Sequence, residues 1–164
     1  MIRAALALLA VAHVAHAEAI TLPNTKATID LPQTWKTATA DGVVLGAKGP
    51  AGEVLAITRS QVPNPDAWRS KKRDVYLDQI EKGVAAKVKG YKRVTRKLDV
   101  TTVPTLDLEA KRDDGATIVM RILLFRTYAL ALAVEVPKRA STTDARAIVT
   151  TFTPPSSMTS ETSP

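Results

Sequence analysis

Residues 106–136 read LDLEAKRDDGATIVMRILLFRTYALALAVEV, and this stretch decides the fold class. Up to Lys111 it alternates apolar with charged residues, which is the period of a half-buried strand. Asp113-Asp114-Gly115 is a hairpin turn signal, and apolar runs at 116–125 and 128–136 follow it. Charged residues and a second turn between these runs indicate two antiparallel strands buried on both faces rather than a membrane span. The stretch predicts the centre of an antiparallel sheet.

Two helices are predicted outside this stretch. Asn64 and Pro65 are typical of a helix start, and Gly90 is typical of a helix end. The apolar residues between them recur at helical spacing: Tyr76, Leu77, Ile80, Val84 and Val88. A second, short helix is expected to follow the capping sequence at 141–144 and to pack through Ile148 and Phe152.

Period-two patterns predict further strands at 27–31, 43–47, 53–62 and 91–100. The element order is then three strands, a long helix, four strands and a short helix. We therefore predict an α+β fold with a mostly antiparallel sheet of about six to seven strands. One long and one short helix pack on this sheet, which makes an α/β/α sandwich.

The N-terminus has the pattern of an export signal. Arg3 precedes an apolar stretch at 4–14, and Ala15-His16-Ala17 supplies the small residues of a cleavage site. We expect removal of residues 1–17, with a cut after Ala19 as the alternative. The stretch is shorter than the roughly 20 apolar residues of a membrane span, so no transmembrane anchor is predicted.

A single domain at 20–153 and a disordered tail at 154–164 are expected to remain. The tail is rich in Pro, Ser and Thr and has no hydrophobic period. The predicted location is periplasmic or secreted. The chain has no cysteine, so a soluble protein without a lipid anchor is expected.

Composition excludes several kinds of chemistry. Both histidines, His13 and His16, lie in the predicted signal, and cysteine is absent throughout. Thiol catalysis, disulfides, Cys/His zinc sites and Ser-His-Asp triads are therefore excluded for the mature chain. We predict no catalytic residues, no metal site and no cofactor.

Two pairs of carboxylates offer alternatives to this expectation. Asp107 and Glu109 lie on one face of a strand and could hold a hard cation, but exposed polar alternation is the simpler interpretation. Asp113 and Asp114 are adjacent, as a general acid and base could be, but a hairpin turn explains them better.

The opening motif Ile29-Asp30-Leu31-Pro32-x-x-Trp35, followed by a strand pair, resembles that of PsbP-like domains. The closing hairpin at 118–136 and the terminal helix ending at 148–152 are also similar to this family, and the resemblance covers roughly 20–153. The family includes the extrinsic PsbP protein of photosystem II, the Ran-binding nuclear import factor Mog and many exported bacterial proteins. The resemblance implies the fold but assigns no role to any residue. PsbP is linked to manganese and calcium partly through histidines, and the predicted mature chain has none.

Basic residues are concentrated between positions 69 and 97. This segment holds eleven Lys or Arg and three Asp or Glu, a net charge of +8, whereas the whole chain carries +7. A helical wheel places Lys71, Lys82 and Lys89 opposite the apolar side. Asp78 is expected to pair with Lys82, four residues further on. The candidate binding residues are Lys71, Lys82, Lys89, Arg93 and Lys97.

A solvated outer face explains these charges most simply. The functional alternative is attraction to an anionic envelope surface or to an acidic protein partner. Nucleic acid is disfavoured, because export is predicted and only two aromatic residues, Tyr76 and Tyr91, lie among the charges.

The leading hypothesis is an exported, non-catalytic binding or assembly module that uses its sheet edge and basic helix face. The alternative is a small envelope enzyme, free of histidine and cysteine, that acts through carboxylates or lysine. A cleft with two convergent carboxylates would favour the enzyme, and a filled sandwich would favour the module. The oligomeric state is not predicted.

Overall fold

The computed structural model describes residues 17–23, 27–62, 73–100, 103–125 and 127–154. Nine strands and two helices lie within these ranges. The strands are β1 (Ala17–Thr21), β2 (Thr28–Pro32), β3 (Lys36–Ala38), β4 (Leu45–Lys48), β5 (Val54–Gln61), β6 (Lys92–Asp99), β7 (Thr105–Lys111), β8 (Thr117–Leu124) and β9 (Tyr128–Val136). The helices are α1 (Arg73–Lys87) and α2 (Thr143–Thr150).

Seven strands form one antiparallel sheet in the order β3-β4-β5-β9-β8-β7-β6. The β8–β9 hairpin is central and is mostly buried on both faces, as its continuous apolar sequence predicted. The predicted turn before β8 is confirmed: Gly115 has a φ of +84°, and the Ala116 amide donates to Asp114 Oδ1 at 3.0 Å. The outermost strand, β6, pairs only with β7 among the described residues.

Each face of this sheet carries its own apolar cluster. On one face α1 packs through Leu77 against a cluster that includes Leu106 and Ile122. On the other face α2 and the β1–β2 ribbon cover a larger cluster, in which Phe125 is fully buried. The predicted α+β sandwich with one helix on each side is confirmed.

Two short strands were not predicted. The first of these, β1, pairs with the predicted strand β2 in a separate two-stranded sheet, so β2 is not part of the main sheet. The three-residue β3 takes the edge position next to β4. Neither β1 nor β3 could be predicted from a sequence pattern, because β1 is almost wholly exposed and β3 is too short to show an alternation.

Several predictions fall on residues outside the described ranges. These are the export signal up to residue 16, the helix start at Asn64 and Pro65, and the tail from residue 155. The predicted helix end is confirmed, because Gly90 follows α1 with a φ of +69°. No helix among the described residues has the length and apolarity needed to cross a membrane.

Candidate functional site

The structure places four of the five predicted binding residues at the β6 edge of the sheet, but not in one stripe. Lys71 lies outside the described residues. Lys82 is exposed on α1, whereas Lys89 lies in the turn that follows the helix. The helical-wheel placement of Lys89 is therefore wrong, since α1 ends two residues earlier. The binding role of these residues stays a prediction.

The two candidates on β6 face opposite sides of the sheet. Arg93 is in register with Ala110 on the α1 side. Lys97 is in register with Asp107, whose side chain lies on the α2 side with Arg121. A β-bulge between Arg93 and Thr95 shifts the register between them.

A buried carboxylate on α1 organises the α1 side of this edge. Glu81 is only 7% exposed. It accepts hydrogen bonds from Tyr91 Oη at 3.1 Å, from an Arg93 nitrogen at 3.0 Å and from Arg96 Nε at 2.9 Å. These contacts connect the inner side of α1 to the start and middle of β6. We call these four residues the Glu81 cluster.

The cluster sets the protonation of its members. Burial alone would raise the pKa of Glu81, but the hydrogen bonds from Arg96 and Tyr91 and the charge of Arg93 outweigh it and lower that pKa. Burial and the adjacent Glu81 charge raise the pKa of Tyr91 to about 12. At neutral pH the carboxylate is ionised and the phenol is protonated, so their hydrogen bond is charge-assisted.

One prediction about charge at this edge needs correction. Asp78 was expected to pair with Lys82, but it accepts a hydrogen bond from Arg96 instead. Arg93, one of the candidate binding residues, forms an ion pair with Glu81, and its binding role stays a prediction. Sequence reasoning missed the buried Glu81, although it follows Leu77 by four residues and so lies on the same side of the helix.

The lysines at this edge are not neutralised in the same way. Six exposed lysines surround the end of α1 and the β6–β7 edge, and none makes an ion pair with a described residue. We call them the lysine rim: Lys82, Lys87, Lys89, Lys92, Lys97 and Lys111. Lys92 and Lys111 are directly opposed in the β6–β7 register, an unfavourable placement of like charges.

The depression between α1 and β6 has a volume of about 430 Å³ and is lined by Asp78, Glu81, Lys82 and Arg96, among others. Its two carboxylates do converge, as the enzyme alternative required. Both are hydrogen-bonded to guanidinium groups, however, and the pKa of Glu81 is lowered. A general acid needs a raised pKa, so this arrangement suits an ion-pair network better than proton transfer.

The carboxylates on the opposite face are engaged by arginines. Asp107 accepts two hydrogen bonds from Arg121, at 2.7 and 2.9 Å. Glu109 accepts from Arg146 of α2 at 2.8 and 3.0 Å. Within the described ranges no group of three or more His, Cys, Asp or Glu is placed to hold a metal ion. The hard-cation alternative for Asp107 and Glu109 therefore gains no support.

Trp35, the aromatic residue of the opening motif, is a core residue. It is 7% exposed and packs in the larger apolar cluster. Its ring lies beside Gly49, where a Cβ would collide with it. The second tryptophan, Trp68, is outside the described residues.

Comparison with solved structures identifies the architecture. The chain is similar to cyanobacterial PsbP (CyanoP) from Synechocystis sp. PCC 6803, with a TM-score of 0.58 and 11% identity over 92% of this chain and 99% of that one. It also overlaps a Bacteroides thetaiotaomicron protein, with a TM-score of 0.46 and 14% identity over 79% of this chain and 45% of that one.

No protein-family model and no curated protein sequence matches the chain. At this level of identity the likeness to CyanoP concerns the fold alone, and the Mog-type part of the resemblance stays a prediction. The fold agrees with the predicted opening motif, central hairpin and terminal helix. The chain has a PsbP-like fold.

Proposed function

We propose that this protein is an exported, non-catalytic binding or assembly module whose lysine rim engages an acidic partner protein. The observation that carries the proposal is the division of cations at the β6 edge. Glu81 and Asp78 hold the arginines, whereas the rim lysines have no ion-pair partner among the described residues. Uncompensated surface cations attract acidic partners and accelerate their association.

The geometry of the rim favours a protein over a flat anionic surface. Lys82 extends from α1 on one side of the sheet, whereas Lys92 and Lys97 are in register with residues whose side chains lie on the other side. A planar layer of headgroups contacts one side at a time. A protein chain that follows the edge contacts both.

The non-catalytic part of the proposal rests on the carboxylates. Asp78, Glu81, Asp107 and Glu109 are all bound by arginines, and the sheet is filled on both faces by apolar side chains. Export rests on the N-terminal pattern of a basic residue, an apolar stretch and small residues at the cleavage site.

Binding to poly-L-glutamate, measured by titration calorimetry between 20 and 200 mM salt, tests the proposal. Three rim reversals, Lys89→Glu, Lys92→Glu and Lys111→Glu, should weaken binding by about tenfold or more, since each turns an attraction into a repulsion. The matched control carries Lys36→Glu, Lys48→Glu and Lys138→Glu. Its charge change is the same, and Lys36 opposes Lys48 across β3–β4 just as Lys92 opposes Lys111.

The control should bind within about twofold of the native protein. Equal losses in both variants, or no binding by the native protein, would contradict the proposal. Binding to phosphatidylglycerol vesicles without binding to polyglutamate would replace the protein partner with an envelope surface.

A further inference from the structure

The outer edge of β6 is a long strand edge that no described strand covers. β6 spans Lys92–Asp99 at one end of the seven-stranded sheet, and no described strand pairs with its outer side. Six of its eight residues are exposed. An edge of this kind presents backbone N–H and C=O groups to solvent and can accept a further strand. The opposite edge strand, β3, has three residues and offers far less.

We propose that β6 accepts an extended acidic segment of a partner protein as an added strand of the sheet. This inference rests on the proposed function and specifies how the acidic partner engages the rim. Backbone hydrogen bonds supply the affinity in strand addition, and side chains on the two faces of the added strand supply the specificity.

Two rim lysines define the charge pattern that fits. Lys92 and Lys97 are in register with Lys111 and Asp107, so they share the α2 side of the sheet and lie four β7 positions apart. Thr95 lies between them, opposite Glu109. Acidic residues four positions apart on the added strand would each face one lysine, and opposite charges across neighbouring strands are stabilising.

The α1 side of the edge calls for uncharged residues. Arg93 and Arg96 point to that side, and Glu81 and Asp78 already hold their charges. Leu98 is half-buried on the same side and packs against the cluster beneath α1. Apolar residues on this side of the added strand would cover the arginine stems and Leu98. The fitting segment therefore reads acidic, apolar, polar, apolar, acidic.

The same edge disfavours other strands. The bulge between Arg93 and Thr95 interrupts regular pairing, and lysines on an edge discourage indiscriminate association. A second copy of β6 would bring four basic residues and one acidic residue against an identical strand. Charge repulsion therefore disfavours pairing between two copies of β6, whereas an acidic strand is attracted to this edge.

The test uses the full protein and the acetylated, amidated peptide VEVTVEV, followed by amide chemical shifts and hydrogen exchange. Binding should shift and protect the amides of β6. Two further peptides carry methyl groups on alternate backbone nitrogens, which removes their hydrogen-bond donors. In one peptide the methyl groups block one edge of the strand, and in the other peptide they block the opposite edge. Strand addition uses a single edge, so one methylated peptide should bind like the parent and the other should lose at least tenfold.

Charge is tested with Lys92→Glu plus Lys97→Glu, matched by Lys36→Glu plus Lys48→Glu at the other end of the sheet. The first pair should weaken binding of VEVTVEV by about tenfold, and the second by less than twofold. A lysine pair at either end changes the net charge equally, so a difference between the variants locates the peptide.

Each remaining outcome overturns the inference in a recognisable way. Equal binding of both methylated peptides, or loss of both, excludes addition through one strand edge. Binding of polyglutamate without binding of VEVTVEV leaves the proposed function intact and removes strand addition. Binding of neither probe removes the proposed function as well.

Discussion

Replacing Glu81 by glutamine should destabilise the fold by about 2 kcal/mol at pH 7, because the carboxylate holds α1 against β6. Its side chain is 10% exposed and accepts two hydrogen bonds from guanidinium groups and one from Tyr91. Hydrogen bonds to charged groups contribute about 1.5–3 kcal/mol each. The loss is smaller than their sum for three reasons. The Arg93 side chain is 52% exposed, so water can hydrate its guanidinium group when the carboxylate is lost. Arg96 still forms its ion pair with Asp78, and the glutamine carbonyl oxygen can still accept a hydrogen bond.

The pH dependence of this loss of stability follows from the direction in which the pKa of Glu81 is shifted. The pKa of Glu81 in the folded protein lies below its ordinary value of 4.5. Such a group stabilises the fold fully above its unfolded pKa and loses the contribution as pH falls through the folded pKa. The difference in the free energy of unfolding between the native protein and Glu81→Gln should therefore be largest at pH 7. It should decrease as the pH falls below about 4.5.

Urea unfolding followed by circular dichroism, at pH 7 and again at pH 3.5, measures both effects. Asp41→Asn is the control, because it removes one negative charge from an exposed turn and should change stability by less than about 0.5 kcal/mol. A Glu81→Gln effect no larger than the control, or one of equal size at both pH values, would refute the reasoning.

Three further predictions concern the core, a turn and the N-terminus. Leu77→Ala should cost about 3 kcal/mol in urea unfolding, since this fully buried side chain is the main apolar anchor of α1. Gly90→Ala should lower the melting temperature by several degrees, because its φ is +69° and a Cβ would collide with the Asp113 carboxylate. N-terminal sequencing should give Glu18 or Ile20, the two starts that the predicted cleavage sites allow, whereas an intact Met1 would contradict the predicted export signal.

The local patterns explain why the central elements could be predicted. Alternation, Asp-Gly turn chemistry and helical spacing act over a few residues, so β7, β8, β9 and both helices followed from them. The strands β1 and β3 did not follow, because β1 exposes nearly every residue and β3 has only three. The separate ribbon was missed for the same reason, because β2 pairs with β1, which lies just upstream and shows no alternation of buried and exposed residues.

The charged edge shows the same division. The sequence alone determined that basic residues crowd the segment at 69–97 and that the chain has no cysteine and, beyond residue 16, no histidine for chemistry. Only the tertiary structure decided which charges are neutralised: packing brings Glu81 on α1 to 3.0 Å or less from guanidinium nitrogens on β6 and leaves the rim lysines exposed. Net charge is a sum over residues in any conformation, whereas an ion pair requires two groups within a few ångströms, and the fold alone sets that distance.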